Sequence, residues 1–194
     1  MHQTIAGFLS RRSQIWVCAW LLALPLEGAM AEQTSAVATP PTACADPAFH
    51  AFDFWLGDWD VYSGDKLIGH NSIRAIEQGC GLSESWRSAS GTTGVSYNAY
   101  DPADQHWHQF WVSAAGYVLR LRGNVDEQGR MVMLGQLPNA KTGHMDQQRI
   151  TWSREPDGSV RQLWEASADG EEWTVSFDGN YRRVSSEQDR QPAD

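Results

Sequence analysis

Glu84, Gln109 and Gln162 each sit two residues from a tryptophan: Glu84 before Trp86, Gln109 between Trp107 and Trp111, and Gln162 before Trp164. On a strand, positions two apart share a face. A carboxyl held among indoles loses hydration, so its pKa rises and it can donate or accept a proton near neutral pH. The two amides can polarise a carbonyl. That set would serve an isomerase, cyclase or hydratase working without a cofactor, with Glu84 as acid and base. It serves equally well as a binding surface, with aromatic walls giving affinity and a few polar groups fixing orientation. The candidate ligand contacts are Glu84, Trp86, Asn98, Trp107, Gln109, Trp111, Gln162 and Trp164.

Other chemistries find less support. His106-x-His108 has the spacing of a strand-borne metal pair. No third ligand has diagnostic spacing, and this face reads as outward, so no metal site is assigned. The chain carries no phosphate-binding glycine loop, no Gly-x-Ser-x-Gly elbow and no haem signature, and no cofactor is expected.

The elements that must hold these residues are strands. From residue 57 the hydrophobic pattern has a period of two, broken by turn residues every eight to fourteen positions. Ser63-Gly64-Asp65, Gln78-Gly79, Ser90-Gly91, Asp101-Pro102-Ala103-Asp104, Ala114-Ala115-Gly116, Asp126 to Gly129, residues 138–146, Glu155 to Gly158 and Ala168-Asp169-Gly170 mark the turns. About ten sequential strands follow, with one short helical turn expected over 48–54. The expected fold is all-β, an up-and-down antiparallel β-barrel, with a two-sheet sandwich as the competing arrangement.

Gly57-x-Trp59 favours the barrel. The glycine lets the chain bend into the first strand, and the indole plugs the narrow end. Closure would bring the last strand beside the first. An arginine of Tyr181-Arg182-Arg183 would then lie over Trp59.

Alternation assigns the inward faces. They are Cys80, Leu82, Glu84 and Trp86; Trp107, Gln109 and Trp111; Val160, Gln162 and Trp164; and Trp173, Val175, Phe177, Gly179 and Tyr181. Trp59, Trp152 and Trp173 read as core or barrel-end residues. Trp86, Trp107, Trp111 and Trp164 read as stacking surfaces.

Arg11-Arg12, an apolar stretch over 15–26 and Ala29-Met30-Ala31 have the order of a signal peptide cleaved after Ala31, with Ala36-Val37-Ala38 as a second option. The stretch is too short for a spanning helix, so no stable membrane insertion is expected. The domain reading is signal peptide 1–31, disordered arm 32–47, one barrel domain 48–184 and disordered tail 185–194. Removing 1–31 takes Arg11, Arg12 and Glu27, moving the formal charge from −9 to about −10. So acidic a chain will not bind nucleic acid through phosphate contacts. Cys18 leaves with the signal. Cys44 and Cys80 remain, and an oxidising compartment favours one disulfide between them.

Phe52-Asp53-Phe54-Trp55-x-Gly57-x-Trp59, Gly79-Cys80-x-Leu82-x-Glu84-x-Trp86, Ser96-Tyr97-Asn98-x-Tyr100-Asp101-Pro102 and Trp107-His108-Gln109-x-Trp111-Val112 form a spaced set. Ile150-Thr151-Trp152, Arg161-Gln162-x-Trp164-Glu165 and Asp178-Gly179-x-Tyr181-Arg182-Arg183 extend it. The set resembles a group of exported bacterial proteins of unknown function over roughly residues 49–183. That group is similar to the lipocalin and fatty-acid-binding-protein superfamily, and the resemblance implies a barrel with a ligand cavity and no established reaction.

The functional expectation is a periplasmic or secreted binding protein for a small, mostly apolar or aromatic ligand. The alternatives are a cofactor-free barrel enzyme using Glu84, and a structural or partner-binding barrel with a filled interior. The sequence does not set the oligomeric state.

Overall fold

Short hairpin turns between alternating strands give each strand its sequence neighbours as partners. The computed structural model describes residues 44–184. The signal-peptide reading, residues 32–43 of the arm and the 185–194 tail lie outside the described residues. Ten strands run in order: β1 (Gly57–Ser63), β2 (Lys66–Ile76), β3 (Gly81–Ser88), β4 (Thr93–Asp101), β5 (His106–Ser113), β6 (Val118–Val125), β7 (Met131–Pro138), β8 (Met145–Arg154), β9 (Val160–Ser167) and β10 (Thr174–Arg183). Each pairs antiparallel with the next, and β10 returns to β1, closing an up-and-down barrel. Trp59 lies opposite Arg183 and Val61 opposite Tyr181 in the closing register. Closure leaves no free sheet edge.

The N-terminal segment seals one end. Two 3₁₀ turns, Pro47–His50 and Asp53–Trp55, precede β1. Asp46 caps the first by accepting from the Ala48 N–H at 2.8 Å. Phe52 stacks on Trp55 at 4.9 Å and meets Trp107 and Trp152 edge-on at 5.7 and 5.2 Å. Each such pair contributes about 0.5–1.5 kcal/mol beyond its buried area. The Trp59 indole is buried and its N–H donates to the Trp55 carbonyl at 2.8 Å. Arg183 covers it, 4.4 Å from the ring centroid. Gly57 has φ +139°, and a Cβ there would stand 2.5 Å from the Arg183 guanidinium, so both the bend and the lid require glycine. A Cys44–Cys80 disulfide, with Cα atoms 5.2 Å apart, ties this segment to the β2–β3 connection.

Two strands depart from simple alternation: in β2, Ile68 is an extra residue between the Val61–Gly69 and Tyr62–Leu67 pairs, and the other is β10. β10 carries a bulge, with Val175 opposite Glu165 and Phe177 opposite Trp164, so Ser176 is the extra residue. Phe177, Gly179 and Tyr181 keep the expected inward face. Before the bulge the parity reverses: Val175 is exposed, correcting its inward assignment. Trp173 is not a core residue either. It packs against Arg149, whose guanidinium lies 4.0 Å from its ring centroid, and its N–H donates to the Gly170 carbonyl.

Candidate functional site

The inward side chains stack in tiers along the barrel axis. The closed end is filled by Phe52, Trp55, Trp59, Trp107, Trp152, Met131 and Met133, all buried. Above them lies a polar tier of Asn71, Glu84, Ser96, Asn98, Gln109 and Gln162. Above that comes an aromatic tier of Trp86, Trp111, Trp164 and Phe177. The last two tiers enclose a cavity of about 500 Å³ that opens at the other end, where the hydroxyls of Ser88, Thr92, Thr93 and Ser113 are among its lining groups. The interior is therefore not filled by its own side chains.

Six of the eight expected contacts line this cavity: Glu84, Trp86, Gln109, Trp111, Gln162 and Trp164. The other two do not. Trp107 belongs to the closed end, where its N–H donates to the Ala48 carbonyl at 3.0 Å. Asn98 is buried behind Gln109, accepting from its Nε2 at 2.8 Å.

The aromatic tier depends on glycine in neighbouring strands. A Cβ at Gly69 would lie 2.4 Å from the Trp86 ring, and one at Gly94 only 2.1 Å from that of Trp111. Each indole thus lies against bare backbone of the adjacent strand, leaving the lumen clear. Trp86 meets Phe177 edge-on at 6.2 Å, and the Trp164 N–H donates to Gln148 Oε1 at 2.7 Å.

The polar tier is one connected chain centred on Glu84. Gln109 Nε2 donates to Asn98 Oδ1, and Asn98 Nδ2 to Ser96 Oγ at 2.9 Å. Ser96 Oγ donates to Glu84 Oε2 and Asn71 Nδ2 to Glu84 Oε1, each at 2.7 Å. Asn71 Nδ2 also approaches the Tyr181 hydroxyl at 3.4 Å, and that hydroxyl donates to Gln162 Oε1. Burial pushes the Glu84 carboxyl from its ordinary 4.5 up to about 7, against the opposing pull of the Asn71 and Ser96 hydrogen bonds. Burial, and secondly the charge of Glu84, raise the Tyr181 phenol well above its usual range. A carboxyl so placed can exchange a proton at neutral pH or face a donor group inside the cavity.

Asn71, Ser96 and Tyr181 were not picked out as members of this chain by sequence reasoning. Alternation along Gly69-x-Asn71-x-Ile73 carries the signal for the first. The second follows once β4 is registered on β3, where Ser96 falls directly opposite Glu84.

His106 and His108 face the outside. His108 Nε2 lies 3.0 Å from Asp104, whose carboxylate also takes the Arg122 Nε at 2.9 Å. Arg122 is the main cause holding the Asp104 carboxyl down to about 2. Asp101, Asp104 and His108 lie close enough to share a cation, but the guanidinium already neutralises the central carboxylate.

Fold and site together define a closed antiparallel up-and-down barrel with a sealed end and an internal cavity, polar at its floor and aromatic at its walls. No model of a protein family matches the chain, and no curated protein matches it. Among the described residues no helix is long and apolar enough to cross a membrane, a statement that does not bear on strands.

Proposed function

We propose that the protein is an exported binding protein that holds a small, mostly apolar or aromatic molecule in the barrel cavity, related to lipocalin-like exported proteins. The observation that carries this reading is the cavity of about 500 Å³ between Trp86, Trp111, Trp164 and Phe177. Aromatic walls supply apolar contact area, and the Glu84 floor supplies the few polar contacts that orient a guest. Export is supported by the signal-like residues 1–31 and by the disulfide, which belongs to an oxidising compartment. The acidic charge argues against nucleic acid as a partner.

The test has two parts. Native mass spectrometry of protein purified from its own host looks for a co-purifying small molecule. Tryptophan fluorescence is then titrated with lipids, quinones and phenolics, and quenching or enhancement that saturates is expected. A silent panel together with a guest-free native protein would refute the reading.

A second reading is favoured by one observation, a buried carboxyl lining the cavity, whose pKa burial pushes up to about 7. Glu84 would there act as acid and base in a cofactor-free isomerisation, cyclisation or hydration. Full turnover of a real substrate by Glu84→Gln would dismiss it.

A further inference from the structure

The cavity lining is unbalanced in charge. Among the seventeen described residues that line it, Glu84 is the only acid, and none is an arginine, lysine or histidine. Among the described lining residues Tyr117 and Tyr181 are the other titratable groups, and the Tyr181 hydroxyl donates its hydrogen bond to Gln162. Each Glu84 oxygen accepts one hydrogen bond, from the neutral groups Asn71 and Ser96. A carboxylate has about four acceptor sites, so roughly two are left. Close by, Asn71 Oδ1 is a second buried acceptor without a partner. Buried charges are ordinarily paired, and an unpaired one is costly. Around the cavity above it stand three indoles and a phenyl ring, whose faces attract cations.

We propose that the guest is a hydrophobic amine, its ammonium donating to the Glu84 carboxylate and its hydrocarbon body lying between Trp86, Trp111, Trp164 and Phe177. This rests on the cavity reading above and narrows it to a class of ligand. The ammonium supplies the counter-charge the lining lacks. The indoles accept both the body and the cation, whereas a neutral isostere leaves Glu84 unpaired and a carboxylate meets like charge. Binding should therefore pull the proton off Glu84. Of the groups packed around it, Asn71 (β2), Ser96 (β4), Gln109 (β5) and Gln162 (β9) do not titrate, and Tyr181 (β10) stays protonated throughout the range used.

The probes are three isosteres, 4-phenylbutylamine, 4-phenylbutanol and 4-phenylbutanoate, measured by isothermal titration calorimetry against the intact protein. The amine is expected to bind about tenfold or more tighter than the alcohol, with the carboxylate weakest. Its affinity should fall as pH is lowered from about 8 to about 5.5, while that of the alcohol stays level. Glu84→Gln should erase the preference for the amine. The pH series uses the unaltered protein and decides the matter even if that variant does not fold. Equal binding of amine and alcohol, or a flat amine profile, overturns the amine assignment and leaves the cavity reading standing. Failure of all three probes to bind overturns the assignment for this amine class, while a co-purifying neutral guest would still uphold the cavity.

Discussion

Keeping a carboxylate inside the barrel must cost the folded protein stability, and the cost can be read against pH. Glu84 has its ordinary value of 4.5 lifted to about 7 in the native state. The native protein therefore holds this proton more tightly than the unfolded chain. Below 4.5 both states carry it, and the contribution to stability is complete. Between 4.5 and 7 the unfolded chain loses the proton while the native one keeps it, and stability drains away as pH rises. Above 7 both are ionised and the loss is complete. At roughly 1.4 kcal/mol per pH unit, the interval corresponds to about 3 kcal/mol. Glu84→Gln keeps the shape and the acceptor for Asn71 but has no proton to lose. Urea unfolding of both proteins at about pH 5 and about pH 8 isolates the effect, because carboxylates common to both cancel in the double difference. The expected result is that the natural protein loses about 2–3 kcal/mol more than the variant between the two conditions, slightly less than the full interval because the unfolded carboxyl is already mostly ionised at about pH 5. Parallel profiles would refute the claim that Glu84 is buried and unpaired in the folded barrel.

Three further outcomes follow from the geometry. Trp59→Ala empties the sealed end and should cost about 3–5 kcal/mol, read as a lowered denaturation midpoint; an unchanged midpoint would remove its role as plug. Gly94→Ala places a methyl where the Trp111 ring now lies, so it should cost about 1–3 kcal/mol and drive the indole into the cavity. Probe binding by calorimetry should weaken with it. Opening the Cys44–Cys80 bridge, which spans a sequence separation of 36, should remove about 3–4 kcal/mol on the chain-entropy account. Intact mass with and without reductant, paired with thermal melts, checks both the bridge and its effect.

How far the sequence could be read depended on which physical signal each feature leaves in it. Turn chemistry and two-residue alternation are local, so about ten strands, their order and a closure that brings a terminal arginine over Trp59 were legible; that the arginine is Arg183 was not. The same alternation named the face carrying Glu84, Gln109 and Trp111. It says nothing about depth. Trp107 and Trp111 share a face, yet four residues of strand separate them by about 13 Å along the chain, enough to put one in the sealed end and the other on the cavity wall. Asn98 was displaced from the wall for the same reason. A bulge leaves no clear local mark, so the reversed parity of Val175 and Trp173 escaped notice. The glycines beneath Trp86 and Trp111 are invisible until neighbouring strands are registered, because each seat and its ring lie on different strands.

Among the described residues, a vessel stoppered at its base offers one doorway. Whatever enters must leave by the same route, past the hydroxyl-lined turns joining β3 to β4 and β5 to β6. Residence time then depends on passage through that mouth as well as on how well the interior holds its occupant. Substitutions at Thr92 or Tyr117, which line that mouth, should therefore alter arrival and departure rates.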